Sequence, residues 1–188
     1  MAFQRETEAL AQIAGRLGWD QETMMPPGAA QQRGEEMSAI EGILHARRTD
    51  PRVGDWLAGP QAAGAAGQRA LDLIGRAYRR NACIPARLAQ ETARLTSVAQ
   101  GIWANARATD DVAAFLPTLA QILDLRREAG QALSAGGFGA DAYDALIDEH
   151  EPGATAATLK AMFDRMRPRL VALRDRIMAS PHQPDRMS

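Results

Sequence analysis

Cysteine is nearly absent: Cys83 is the single example in 188 residues. That excludes an internal disulfide and any cysteine-built metal centre, and it fits a reducing, cytoplasmic setting. Lysine is as scarce, with Lys160 alone, so the positive charge is almost all arginine. Opposite charges nearly cancel, at a formal net charge of −1, which leaves no global field to gather nucleic acid or anionic lipid. No apolar run approaches the roughly 20 residues of a bilayer span. The opening Met1-Ala2-Phe3-Gln4-Arg5-Glu6 carries acids early and lacks the apolar stretch of a signal peptide. Neither nucleic acid nor membrane is therefore expected as a partner.

Catalytic patterns are missing as well. A zinc-hydrolase helix needs two histidines at i and i+4, so that both imidazoles share a face, with a glutamate beside the first to act as base. The three histidines here are His45, His150 and His182, and no two are three to five residues apart. Glu41 and His45 share a helical face and read as a solvated pair. His150 lies between Glu149 and Glu151 in a surface turn. No Gly-x-Ser-x-Gly elbow is present, and Cys83 reads as a partly buried thiol. Gly136-Gly137-Phe138-Gly139 has neither the preceding strand nor the following Lys-Ser/Thr of a phosphate loop, and reads as a flexible connector. No catalytic residue and no metal ligand is assigned, and no cofactor is expected in this chain.

What is present is helical periodicity. Leu10, Ile13, Ala14 and Leu17 place a helix over residues 3–17. Gly18 to Pro27 reads as a connector, and Pro26-Pro27 opens the next helix, which carries Met37, Ile40, Ile43 and Leu44 to about Arg48. Thr49-Asp50-Pro51 breaks it, and Pro51 to Leu57 forms a turn that places Trp56. Residues 58–67 read as a loop with a frayed helix start, after which Leu71, Ile74 and Tyr78 continue. Ile84-Pro85 opens a helix striped by Leu88, Leu95, Val98 and Ile102. Asp110-Asp111 starts another, with Val112, Phe115, Leu119, Ile122 and Leu123 on one face and Pro117 near its start. Ser134 to Gly139 breaks the pattern before a short helix at Tyr143 to Ile147 and the turn Glu149 to Gly153. Thr155 caps the final helix, whose stripe of Leu159, Met162, Phe163, Met166, Leu170, Leu173 and Ile177 is the cleanest in the chain. Arg165, Arg167, Arg169, Arg174 and Arg176 give it a solvated face with ion pairs, and Pro168 bends it. No strand alternation appears. The expected fold is all-α, an array of antiparallel helices over residues 1–178 with a disordered tail at 179–188.

The connector is the most informative stretch. Trp19-Asp20-Gln21-Glu22-Thr23-Met24-Met25-Pro26 carries a tryptophan, two acids and two methionines where polar residues would serve. It resembles the Trp-Asp-Gln-Glu-Thr-x-Met-Pro signature near the amino terminus of the carboxypeptidase Taq family of metallocarboxypeptidases. Further stretches resemble that family in the same order. They are Ile84-Pro85 with Leu88, Trp103 with Ala106-Arg107, Asp110-Asp111 with Phe115 and Pro117, and Leu125 to Glu128. The last is Tyr143 to Gly153, similar to Tyr-Asp-x-Leu-x-Asp-x-x-Glu-Pro-Gly.

The resemblance implies a mainly helical parent at least twice this length, usually a homodimer. That parent removes carboxy-terminal residues from peptides, using zinc or cobalt held by a His-Glu-x-x-His helix outside this chain. The helices here would form the amino-terminal part of the larger fold and one wall of its peptide groove, inactive alone. Trp19, Asp20, Glu22, Met25, Trp103, Arg107, Tyr143, Asp144 and Glu151 are the candidate groove or signature residues. Plainer roles stand beside that one. Trp19 and Met25 would plug a gap between helices, and Asp20 and Glu22 would cap the next helix or pair with arginine. Tyr143, Asp144, Asp148 and Glu151 would fix the turn before the last helix. A stand-alone helical interaction module, with polar surfaces where the missing part would dock, is the alternative to a metallocarboxypeptidase part, and a metal or cofactor carrier is a third reading. The metallocarboxypeptidase part should instead expose an apolar patch.

Overall fold

The computed structural model describes residues 2–59 and 64–182. Helix α1 spans Ala2–Thr23, α2 Ala30–Arg48 after a 3-10 turn at Pro27–Ala29, α3 Pro51–Leu57 and α4 Gly64–Cys83. They are followed by α5 Ala86–Ala108, α6 Val112–Ala135, α7 Ala142–His150 and α8 Ala156–Met178. Among the described residues there is no strand, and no helix is long and apolar enough to cross a membrane. Part of the expected loop at 58–67, residues 60–63, lies outside the described residues, as does most of the expected tail, 183–188.

Local chemistry sets the helix starts. Asp50, Asp111 and Asp141 each accept a hydrogen bond from a backbone N–H in the first turn that follows, of Arg52, Ala114 and Asp144 respectively. Thr155 and Thr158 close a reciprocal capping box at α8. Pro26, Pro51 and Pro85 stand at or beside the starts, where a missing N–H costs nothing. Asp110 takes a left-handed φ of 55° and ends the chain's passage out of α5. Pro117 and Pro168 both lie inside helices.

One boundary differs from the sequence reading. Helix α1 does not stop at Leu17; it runs through Gly18, Trp19, Asp20, Gln21 and Glu22 to Thr23. Asp20 C=O accepts from the N–H groups of both Met24 and Met25 at 2.9 Å, and the Thr23 hydroxyl donates to Trp19 C=O at 2.8 Å. Gly18 lowers helix propensity by only about 1 kcal/mol, which tertiary pairing of the following residues overcomes. The connector proper is Met24 to Pro26.

Helices α1, α2, α5 and α6 pack in that order, with α7 against α6, and with α4 reaching both α2 and α6. Cross-contacts give the directions. Arg47 meets Phe3 and Thr7 while Arg33 meets Leu17 and Asp20, so α1 and α2 run antiparallel. Gly34 lies against Arg94 and Val98, Gly42 against Gln90, and His45 against Ile84, so α2 and α5 are antiparallel too. Leu44 and Leu88 are the largest fully enclosed side chains, joined in the core by Val53, Leu95, Ala99, Ala106, Leu133 and Ala145. Each enclosed leucine stabilises the fold by about 1.5–3 kcal/mol.

The final helix breaks the pattern. None of its residues is buried, and Met162, Phe163, Met166, Leu170 and Leu173 are all exposed. The antiparallel array therefore holds for the helices up to α7, while α8 presents its apolar stripe to solvent.

Candidate functional site

The signature residues sit at the carboxy-terminal end of α1, beside α2 and α5. Arg33, nearly enclosed by its neighbours, reaches back from α2. It donates to Asp20 at 2.6 Å, to Glu36 at 2.9 Å, and to Leu17 C=O. The hydrogen bond to Asp20 raises the pKa of the Arg33 guanidinium, against the opposing effect of burial and with help from Glu36. Arg33 thereby ties the start of α2 to the last two turns of α1. Gln21 and Ser97 exchange hydrogen bonds, the Ser97 hydroxyl donating to Gln21 Oε1 at 2.5 Å, and Gln100 donates to Glu22 at 2.9 Å.

Asp20 thus pairs with an arginine, one of the two roles read for it. Glu22 instead takes a glutamine, and neither acid caps the following helix, whose start has no side-chain cap. Trp19 does not plug a gap. It is 64% exposed, because the helix that replaces the expected loop turns it outward, while Met25 is half-buried. Trp103 is 48% exposed and Arg107 also lies on the surface, in the last two turns of α5.

A second cluster lies at α7. Asp148 is buried and accepts from Arg76, from Arg80 at 3.2 Å and from Gly153 N–H at 3.0 Å. Asp144 accepts from Ala156 N–H at 2.8 Å, tying α7 to the first turn of α8. Arg126 reaches Glu149 at 3.0 Å, and Arg76 and Arg80 lie over the Phe138 ring at 5.8 and 5.5 Å. Asp144 and Asp148 fix the turn before the last helix with their side chains; Glu151 enters it through its backbone, which donates to Ile147 C=O and accepts from Ala154 N–H, both at 3.0 Å, and the side chains of Tyr143 and Glu151 are exposed. The preceding glycine segment is not a loose connector. Gly139 packs on the backbone of Ala145, and Gly136 on the Cys83 sulfur, so side chains at either position would collide.

Beside the α7 cluster, which supplies part of its wall, is an open cavity of about 480 Å³, lined also by Glu41, His45, Ile84 and Leu88. His45 is buried rather than solvated, with Nε2 2.7 Å from Ile84 C=O. That bond joins the carboxy-terminal end of α2 to the α4–α5 connection. Burial raises the pKa of Glu41, an effect opposed by Arg48 and His45. Sequence reasoning missed His45, Arg76, Arg80 and Arg33 as organising residues. Their signal is distributed over partners 13 to 72 positions away, which local spacing does not carry.

Relatives give the assembly a context. The chain matches the Carboxypeptidase Taq (M32) metallopeptidase family over residues 1–188. It belongs to that family. Thermostable carboxypeptidase 1 of Thermus thermophilus is 37% identical over 198 residues, covering 98% of this chain and 39% of the relative. The M32 carboxypeptidase structure from Deinococcus radiodurans superposes with a TM-score of 0.72 at 29% identity, over 95% of this chain and 36% of that one. The apo-Mg carboxypeptidase structure of Pyrococcus furiosus gives 0.73 at 26%, over 95% and 36%. This member of the carboxypeptidase Taq family therefore spans about two fifths of the length of relatives such as the Thermus enzyme, and its match is to the amino-terminal region of the fold.

A metallopeptidase family implies a metal, and the donor chemistry here does not fit one. His45 Nε2 is committed to a carbonyl, Glu41 to Arg48, and Asp148 to two arginines and an amide. Among the described residues no three His, Cys, Asp or Glu side chains converge.

Proposed function

We propose that this chain is the amino-terminal, groove-forming part of a metal-dependent carboxypeptidase that releases carboxy-terminal residues from peptides. In that role it supplies shape rather than chemistry. The observation that carries the reading is the family match along the whole chain, at about two fifths of the relatives' length. Trp19, Met25, Trp103 and Arg107 are the groove-facing candidates, because Trp19, Trp103 and Arg107 are exposed side chains near helix ends, Met25 is half-buried in the connector after α1, and Arg33, Gln21 and Ser97 tie these segments together. The complete enzyme carries zinc or cobalt on residues outside this chain, works in the cytoplasm and forms a homodimer.

The exposed apolar face of α8 favours this reading over a self-sufficient interaction module, which would be polar there. The test is an assay of the purified chain with zinc or cobalt against a blocked dipeptide. No turnover above a metal-free control is expected. Turnover that follows added metal would overturn the reading.

A further inference from the structure

Helix α8 carries a seven-residue repeat. With Phe163 at the first position, a, the apolar residues Leu159, Phe163, Met166, Leu170 and Leu173 fall alternately on d and a. That spacing makes a coiled-coil seam along one side of the helix. Pro168 falls at f, the position farthest from the seam, where its missing N–H does not disturb packing. Phe163, Met166, Leu170 and Leu173 are 43–51% exposed, so the seam is open.

The flanks of this seam have one sign. Positions e and g hold Lys160, Arg167, Arg169, Arg174 and Arg176, and no acid. The acids of the helix, Asp164 and Asp175, fall at b and f, off the seam. Among the described residues Arg167 and Arg169 make no ion pair, while Lys160 and Arg174 are engaged only within the helix, by Asp164 and Asp175. Flanking charges choose the partner in such a packing. A second copy is unsuitable. A parallel pair would set Arg169 against Arg174, and an antiparallel pair would set like flank against like flank, arginine on arginine.

We infer that α8 docks an amphipathic helix with an apolar seam and Asp or Glu flanks, contributed by the part of the family fold that lies outside this chain. This rests on the proposed function above. The Thermus match leaves out 2% of 188 residues, about four, so the 23-residue α8 falls within the aligned family fold almost entirely. Yet α8 meets the other described helices chiefly at α7 and buries nothing there. The unmatched three fifths of the relative are where a covering helix of that chemistry would lie.

Three synthetic helices with one leucine seam and flanks of Glu, Gln or Lys test the chemistry, titrated into the full chain by fluorescence anisotropy. The Glu-flanked helix should bind at least about tenfold more tightly than the Gln-flanked one, with the advantage shrinking between about 50 and 500 mM salt. The Lys-flanked helix should not bind. In the triple variant R167E/R169E/R174E, whose positions are all exposed, helical circular dichroism should be unchanged and the order of the Glu and Lys helices should invert. The source is tested with overlapping peptides tiling the rest of the Thermus relative, among which an acid-flanked amphipathic stretch should be retained. Equal binding of the three helices, no binding, retention only of stretches without acid flanks, or a dimer of the chain dispersed by L170E would each overturn the inference. Those failures leave the inactivity of the isolated chain standing, whereas metal-dependent turnover would overturn the functional reading and leave these affinities standing.

Discussion

At the residue scale, charge is used here to hold backbone rather than to react. Asp148 is the clearest case, since it gathers Arg76 and Arg80 from α4 and the Gly153 amide from the turn before α8. Asp148→Ala would leave the Arg80 charge, whose side chain is only 16% exposed, without its main counter-ion. Breaking a buried pair costs 3–5 kcal/mol, and the partial exposure of Arg76 lowers the expected loss to about 2–3 kcal/mol. Denaturant unfolding checks this, and Asp148→Asn, which keeps an acceptor for Gly153, should lose less. Glu41 makes the pH prediction. Burial raises its pKa in the fold, so the folded protein holds that proton more tightly than the unfolded chain does. Its contribution is then complete at acid pH and declines as pH rises through the raised value. Glu41→Gln should favour the fold more at pH 7 than at acid pH, read as a difference in melting temperature between the two; an equal effect at both would show that Glu41 ionises without cost. Neither residue was legible from spacing. The Glu41–His45 interval looked like a solvated face, and only the α5 helix packed across it turns His45 inward.

At the scale of elements, periodicity located nearly every helix, because apolar stripes, aspartate caps and prolines all mark the same boundaries. The failure at Gly18 is physical. Glycine usually ends a helix, but here Arg33 from α2 bonds the Leu17 carbonyl and the Asp20 carboxylate on either side of Gly18, and the helix continues to Thr23. Two substitutions separate glycines that matter from glycines that do not. A Cβ at Gly18 meets nothing within 4 Å, so Gly18→Ala should stabilise the protein by about 0.5–1 kcal/mol through helix propensity. At Gly130 the same Cβ would lie 2.7 Å from Ala142 C=O and 3.1 Å from its side chain, so Gly130→Ala must push α7 off α6. A loss of about 1–3 kcal/mol is expected there. Thermal or denaturant melts of both variants check the pair. Destabilisation by Gly18→Ala would mean that the signature is a loop after all.

For the molecule as a whole, a stripe in a sequence declares that a helix has an apolar side without declaring what lies against it. The α5 stripe encloses Leu88 and Leu95, whereas the equally regular α8 stripe stands in solvent. Both read alike in one dimension, because burial depends on which other elements are present to cover a face. This difference predicts uneven stability. Helices α2 and α5 share the enclosed leucines and many long-range bonds, so their amides exchange with solvent only through opening of the whole core. Helix α8 has its capping box and its tie to Asp144, but no buried residue, so unfolding it exposes little new surface. Native-state hydrogen exchange on this chain should therefore show α8 amides exchanging at least about a hundredfold faster than those of α2 and α5, a separation of about 3 kcal/mol in opening free energy. The gap should be insensitive to low denaturant within α8, where the openings are local, and should close in α2 and α5 as global unfolding takes over. The corresponding helix in the longer Thermus relative should be protected to within about tenfold of its own core if it is covered there. Equal protection of α8 and α5 in the short chain would mean that α8 is held by contacts this structure does not contain, and that its apolar stripe is not an open face.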